Sequence, residues 1–408
     1  MMTCDGLAYQ TEDTAGIGGV LKQRPEDFVV TEMPLFEPSG RGDHLYLLIE
    51  KQRRLTTDVT RLLSRHFCVA RRDVGYAGLK DKHAITRQWF SIEHAKEDRA
   101  AAFDEPQIGI LDIDRHETKL KRGNLAGNRF QIRVRDVEPS GVITAKAVLD
   151  HLVEYGAVNF LGPQRFGYRR DNHLQGKNLL HGDLQSFLDR LLGEPQDNEP
   201  EVNTEARLAY EAGDYARAVK TWPTVNRFER QAVGPLSRGA SLEHAVNGVD
   251  KSQRLLMISA FQSAIFNQLL NQRLLAGRLG RLEVGDLAFK HDTRGCFEVI
   301  DPDTEQPRCD RLEISPTGPM WGRKMTRASG AVGTAEAEAL AESGVSEADL
   351  KEGRYTPDGA RRAFRMIITN PQVRAGADDH GPFIEVCFEL PRGSYATTVM
   401  REIMKNEP

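Results

Sequence analysis

Gly75-Tyr76-Ala77-Gly78-Leu79-Lys80-Asp81-Lys82-His83-Ala84-Ile85-Thr86-Arg87-Gln88-Trp89-Phe90-Ser91-Ile92 opens as a short apolar strand and breaks at Gly78. It gathers four ionisable side chains in Lys80-Asp81-Lys82-His83 and resumes as an alternating run from Thr86 to Ile92. A charged cluster between two strand-like segments is expensive to bring near a core, because buried charges need partners. It is therefore either a solvated turn or a site. Asp81 is the sole acid in the cluster, so the neighbouring positive charge should hold it ionised and lower its pKa. On an extended backbone Lys80 and Lys82 would point to the face opposite Asp81. Its partner would then come from elsewhere in the chain. An ionised carboxylate in a positively charged cleft suits nucleophilic or base chemistry on a polyanionic substrate.

The 408 residues are enough for two domains, or for one domain with a large insertion. The composition is that of a soluble globular protein, 39% hydrophobic and 28% charged, with a mean hydropathy of -0.49. No apolar run approaches the roughly 18 residues of a membrane span. Met1-Met2-Thr3-Cys4-Asp5-Gly6 has neither the basic nor the apolar region of a secretion signal. Five cysteines without a CxxC pair argue for a reducing compartment, and the cytoplasm is the expected location. The net charge of -4 is not the footprint of a globally basic nucleic-acid binder. Positive charge for an RNA partner would have to be local.

Val20 to Met33 reads as extended, and Arg24-Pro25-Glu26-Asp27 makes it an edge strand or a bend. His44 to Glu50 is strand-like, with Leu45, Leu47 and Ile49 on one face. Thr56-Thr57-Asp58 offers cap chemistry for a helix through Phe67. In Arg129 to Arg135, Phe130, Ile132 and Val134 alternate with Gln131, Arg133 and Arg135. That face is either a solvated basic surface or a phosphate-tracking one. Asn159 to Arg170 interleaves aromatics, arginines and glycines, the materials of single-strand recognition or of a packed loop. Gly193 to Glu201 reads as a solvated acidic linker. Ala206 to Trp222 is a helix pair, one copy and not a repeat array. Leu255 to Leu275 is a strong helix with a one-sided apolar stripe. Phe383 to Leu390 is a strand, and Pro391-Arg392-Gly393-Ser394-Tyr395 turns the chain into a last helix. The C-terminus is thus expected to rejoin the sheet begun at the N-terminus, around an insertion.

Other motifs fall away. Gly16-Ile17-Gly18-Gly19 lacks the third glycine of a dinucleotide loop, and Gly176-Lys177-Asn178 lacks the rest of a P-loop. His291, Cys296 and Cys309 are too irregular for zinc. Neither a metal nor an organic cofactor is expected.

Ala77 to Thr86 resembles the signature of the TruD family of tRNA pseudouridine synthases, and four further segments match in the family's order. These are Leu21-Lys22 with Pro25-Glu26-Asp27-Phe28-Val29-Val30, Gly127-Asn128-Arg129-Phe130, Asn159 to Gly167, and Leu390-Pro391 with Gly393-Ser394-Tyr395-Ala396-Thr397. The resemblance implies an α+β pseudouridine synthase fold. Its central mixed, mostly antiparallel sheet would be split by a largely helical inserted TRUD domain, forming the other wall of an RNA cleft. The expected boundaries are 1–155 and 360–408 for the catalytic domain and 156–359 for the insertion. The stretch from Asp183 to Gly239 is longer than in short bacterial members, and Tyr395 stands where some members have Phe.

Carried onto this chain, the resemblance makes Asp81 the catalytic residue and Phe28 and Tyr395 aromatic contacts to the target nucleotide. Asn128 would bind substrate, in a motif that includes Phe130. Lys22 is the candidate cation for Asp81. Lys80, Lys82, His83 and Arg165 are further candidates for substrate contact. The implied reaction is isomerisation of uridine to pseudouridine, at uridine 13 of the tRNA D-stem, without cofactor. The expected partner is tRNA, with no membrane and no obligate protein partner, the chain acting as a monomer. The alternatives are other tRNA or mRNA uridines, or a non-catalytic tRNA-binding or folding module.

Overall fold

A computed structural model describes residues 1, 3, 6–197 and 199–406. Met2, Cys4 and Asp5 of the amino-terminal stretch, and Asn198 of the acidic stretch, lie outside the described residues. The chain forms two compact units, Tyr9–Asn159 with Arg365–Pro408, and Met1–Ala8 with Phe160–Phe364. The strands in chain order are β1 (Phe28–Pro34), β2 (His44–Gln52), β3 (Val74–Tyr76), β4 (Ile85–Glu93), β5 (Ile108–His116), β6 (Leu125–Arg135) and β7 (Ala157–Val158). The other unit carries β8 (Leu287–Lys290), β9 (Cys296–Glu298), β10 (Ile314–Met320) and β11 (Ala360–Ala363). The first resumes with β12 (Arg365–Met366), β13 (Thr369–Asp378) and β14 (Gly381–Pro391).

The large sheet has the order β13-β14-β6-β1-β4-β2-β5, with β3 beside β4. Only β1 and β4 run parallel; every other pair in it is antiparallel. The fold is α+β with a mixed sheet. The chain leaves and re-enters this unit through the β7–β12 pair, Val158 opposite Arg365. Helices cover one face of the sheet. Leu45, Leu47 and Ile49 of β2 pack on Val59, Leu63 and Phe67 of the helix Thr56–Phe67. Phe130, Ile132, Val386 and Phe388 pack on Val148, Leu152, Val399 and Ile403 of the helices Gly141–Tyr155 and Ala396–Met404. Each such side chain contributes about 1.5–3 kcal/mol by leaving water.

Several expectations change. Of the edge strand or bend expected at Arg24–Asp27, the structure has the bend: Pro25 opens a 3-10 turn, Pro25–Asp27, where its missing N–H is harmless, and β1 then runs in the middle of the sheet. The helix Thr56–Phe67 is capped by Asp58, which accepts the Leu55 N–H, while the Thr56 hydroxyl is engaged elsewhere. β13 has no apolar alternation because it is an exposed edge strand, held by its hairpin to β14. In the second unit the helix Lys251–Leu275 is buried on all sides from Ala260 to Asn271, so its stripe is not one-sided. The acidic stretch is not wholly solvated: the Glu199 carboxylate is buried against Arg207.

The arginines on the basic face of β6 are ion-paired within their own unit, from exposed Arg129 to buried Arg135. Strands β13 and β14 and the turn before β1 supply acids to them. Arg129 pairs with Glu389, Arg133 with Glu385, and buried Arg135 with both Asp27 and Asp378 at 2.7 Å. These arginines are spent within the fold. Removing one partner of a buried pair strands the other charge. Arg135→Leu, which orphans fully buried Asp27, should therefore lower the unfolding free energy in urea by about 3–5 kcal/mol. Arg129→Ala, with a side chain 65% exposed, should cost about 1 kcal/mol or less. Equal losses would refute this account of the β6 network.

Candidate active site

The strand register places a polar seam on the helix-covered face of the sheet. Val30 lies beside Thr86, Lys51 beside Thr86, and Glu32 opposite Asn128. With the period of two, Glu32, Lys51, Thr86, Gln88 and Asn128 thus share the face that carries Phe28, Val30, Leu47 and Phe130. They stand between two apolar clusters, one under the helix Thr56–Phe67 and one under the helices Gly141–Tyr155 and Ala396–Met404. The segment Gly78–Ala84, which joins β3 to β4 without regular structure, closes over the seam.

Its backbone is pinned at each step. Gln88 Nε2 donates to the Gly78 carbonyl at 3.1 Å. The Thr56 hydroxyl accepts the Lys80 N–H at 3.0 Å and donates to Gln88 Oε1 at 2.9 Å. Lys51 Nζ donates to the Asp81 carbonyl at 2.9 Å and the Arg54 carbonyl at 2.7 Å. Burial pushes the Lys51 ammonium down to about 8, with the charge of Asp81 opposing that shift.

Asp81 is left with its carboxylate 27% exposed. Lys22 Nζ donates to Oδ2, and the His83 N–H donates to Oδ1 at 3.0 Å. Burial works against the charge on Asp81, but the hydrogen bond and charge of Lys22, helped by His83, outweigh it. The carboxyl is held below its ordinary value. Lys22 reaches it from a left-handed backbone conformation, φ 56°. Two backbone bonds between Val20 and Arg135 precede it, and the Arg135–Asp27 pair follows it. Its ammonium also lies 4.4 Å from the centre of the Phe28 ring.

The other candidates separate. Lys82 and His83 are exposed beside Asp81. Lys80 turns inward, 2.9 Å from Glu32 and 2.5 Å from Asn128 Oδ1. Burial raises the Glu32 carboxyl above its ordinary value, and Lys80 offsets part of that. Asn128 is half-buried on β6, preceded by Gly127, where any Cβ would strike the Leu390 carbonyl at 2.2 Å. Phe28 and Phe130 are core residues, 4% and 7% exposed, packed edge to face. Tyr395 is half-buried at the start of the helix Ala396–Met404. Arg165 belongs to the other unit, on the 3-10 turn Pro163–Phe166, and donates to Ser259 Oγ at 3.3 Å.

The family model described as tRNA pseudouridine synthase D (TruD) matches residues 5–403. The chain belongs to the TruD family. It is 41% identical over 399 residues to the tRNA pseudouridine synthase D of Geobacter metallireducens, covering 97% of each chain. It is 40% identical to that of Geobacter sulfurreducens, covering 97% of this chain and 96% of the relative. A crystal structure assigned to TruD from Methanosarcina mazei matches with a TM-score of 0.80 at 30% identity, covering 98% of this chain and 96% of that one.

Within this TruD fold, sequence reasoning missed Glu32, Lys51, Thr56 and Gln88. A signal existed for two of them. Glu32 continues the even-numbered face of Phe28 and Val30, and Lys51 the odd-numbered face of Leu45, Leu47 and Ile49. A charge on the buried phase of a strand announces a partner.

The carboxylate of Asp81 tests this geometry. Its folded value is depressed, so its ionised form contributes stability above the ordinary carboxylate range. That contribution is lost as pH falls through the folded value. In Lys22→Met, burial loses its strongest opponent, leaving His83 and the charge of Lys51 against it. The midpoint of the Asp81 carboxyl carbon, followed by NMR, should move upward, and acid destabilisation should begin at higher pH. An unmoved midpoint would show that another group holds the charge.

Proposed function

We propose that this chain isomerises uridine to pseudouridine in tRNA, with uridine 13 of the D-stem as its target and Asp81 as the catalytic carboxylate. The observation that carries the reading is the ionised, partly exposed Asp81 held by Lys22, in a chain of the TruD family. The reaction breaks the bond from N1 to C1′, turns the uracil and forms a bond from C5 to C1′. The C5 proton is lost, and N1 regains one. Atoms and electrons balance without a cofactor. Asp81 acts at the ribose or the base: at C1′, at C6, or on the C2′ proton.

The uridine must leave its stack to meet Asp81, at a cost of a few kcal/mol. An aromatic contact returns roughly 1–3 kcal/mol per base. Half-buried Tyr395 is the ring suited to it, while Phe28 and Phe130 form the apolar floor. Lys82, exposed beside the carboxylate, supplies local positive charge for RNA phosphates, with the exposed His83 ring next to it. Arg165 keeps the candidate role in substrate contact that the resemblance implies.

Purified protein and unmodified tRNA transcripts test this, with pseudouridine located by carbodiimide adducts. Wild type should convert uridine 13. Asp81→Asn should lose on the order of 10³-fold or more in rate while binding tRNA as wild type does. Conversion at other uridines would correct the target. Undiminished conversion by Asp81→Asn would remove that residue from the chemistry. Binding without conversion by wild type would favour a non-catalytic tRNA module.

A further inference from the structure

The seam holds a second charged pair, to which the reaction above assigns no role. Glu32 on β1 and Asn128 on β6 are cross-strand partners, and the Lys80 ammonium engages both. It lies 2.9 Å from Glu32 Oε2, with the Lys80 and Glu32 side chains only 5% and 1% exposed. Glu32 Oε1 also accepts the Trp89 N–H of β4 at 3.4 Å, which ties the carboxylate to the far side of β1. The second bond of Lys80 runs to the Asn128 side chain at 2.5 Å.

An ammonium has three donors and no acceptor. The atom of Asn128 that meets it must therefore be the amide oxygen, whichever way an amide is drawn. Nδ2, with two N–H donors, then faces away from Lys80. Among the described residues it donates to nothing. A half-buried amide whose oxygen is turned to a buried cation presents its N–H donors to an incoming group. Uracil presents two carbonyl oxygens, O2 and O4, that accept them.

We propose that the Glu32–Lys80 pair fixes the orientation of the Asn128 amide, so that Asn128 donates a hydrogen bond to a carbonyl oxygen of the target uracil. Glu32 and Lys80 are then positioning residues for base recognition. Glu32 holds the Lys80 ammonium in place, and Lys80 prevents the amide from turning its oxygen outward. The inference rests on the reading of Asp81 as a pseudouridine-forming centre. It gives Lys80 a task different from that of Lys82, its neighbour on the other side of Asp81.

The test uses the full-length protein and transcripts with uridine, 2-thiouridine or 4-thiouridine at the target position. Sulfur accepts hydrogen bonds weakly, so wild type should lose about tenfold in kcat/KM on one of the two thio substrates, the equivalent of one hydrogen bond. In Glu32→Gln, and in Asn128→Asp, which keeps the Lys80 contact but lacks the donor, that ratio should shrink to about twofold or less. A merely structural Glu32 would slow all three substrates equally and leave the ratio intact. An intact ratio in Glu32→Gln overturns the proposal.

A second measurement needs no turnover. In protein labelled with ¹⁵N-asparagine and free of RNA, the Asn128 side-chain amide resonance should move in Glu32→Gln and in Lys80→Met. An unmoved resonance in both overturns the proposed control of the amide. Absence of pseudouridine from wild type on every transcript would instead sink the reading of the reaction, while the amide signal still decides whether the pair holds Asn128.

Discussion

A sheet face that is buried under helices cannot leave charge unanswered, and this one carries Glu32, Lys51, Gln88 and Asn128 between its two apolar clusters. An unpaired buried charge costs several kcal/mol. The segment Gly78–Ala84 exists in its observed path because it supplies the answers. It presents the Gly78 carbonyl to Gln88, the Asp81 carbonyl to Lys51 and the Lys80 ammonium to Glu32 and Asn128. A loop without regular structure is thereby anchored to the sheet by hydrogen bonds, and Asp81 sits within the anchored segment. Placement of a reactive group by surrounding hydrogen bonds is what a preorganised site requires.

The sequence made the sheet legible where one face is apolar and the other polar. β6 and β14 alternate apolar with polar residues, and the helices against them follow their own period. Legibility failed where tertiary context decides. β13 has no apolar phase because nothing packs on it, so only its hairpin partner reveals it. The central position of β1 depends on the strands that flank it, which no local pattern encodes. The helix Lys251–Leu275 hides its character because burial on all sides erases the stripe that periodicity seeks. At the site, Asp81 stood out as the lone acid of its cluster. The family resemblance, and not spacing, directed attention to Lys22 and Asn128.

Charge distribution follows the same logic. A net charge of -4 leaves little general attraction for a polyanion, and the arginines of β6 add none, since Asp378, Glu385 and Glu389 neutralise them. What remains beside Asp81 is the exposed ammonium of Lys82, next to the exposed His83 ring. Its charge acts within a Debye length, about 8 Å at physiological salt. An RNA that approached this surface would meet a local positive field, and not a basic protein.

Three lysines converge on one loop, and their tasks differ. Lys22 donates to the Asp81 carboxylate, Lys51 to its peptide carbonyl, and Lys80 to the oxygen of Asn128. Each takes a different acceptor. The distinction between Lys80 and Lys82, adjacent to the same aspartate and identical in type, is set by Glu32, an acid 48 positions before one of them and on another strand. Lys80 finds that acid and is buried; Lys82 finds none and stays in water. The chemistry of the motif is therefore completed by a residue outside it. A motif read alone names the reactive carboxylate but cannot say which of its cations faces the substrate.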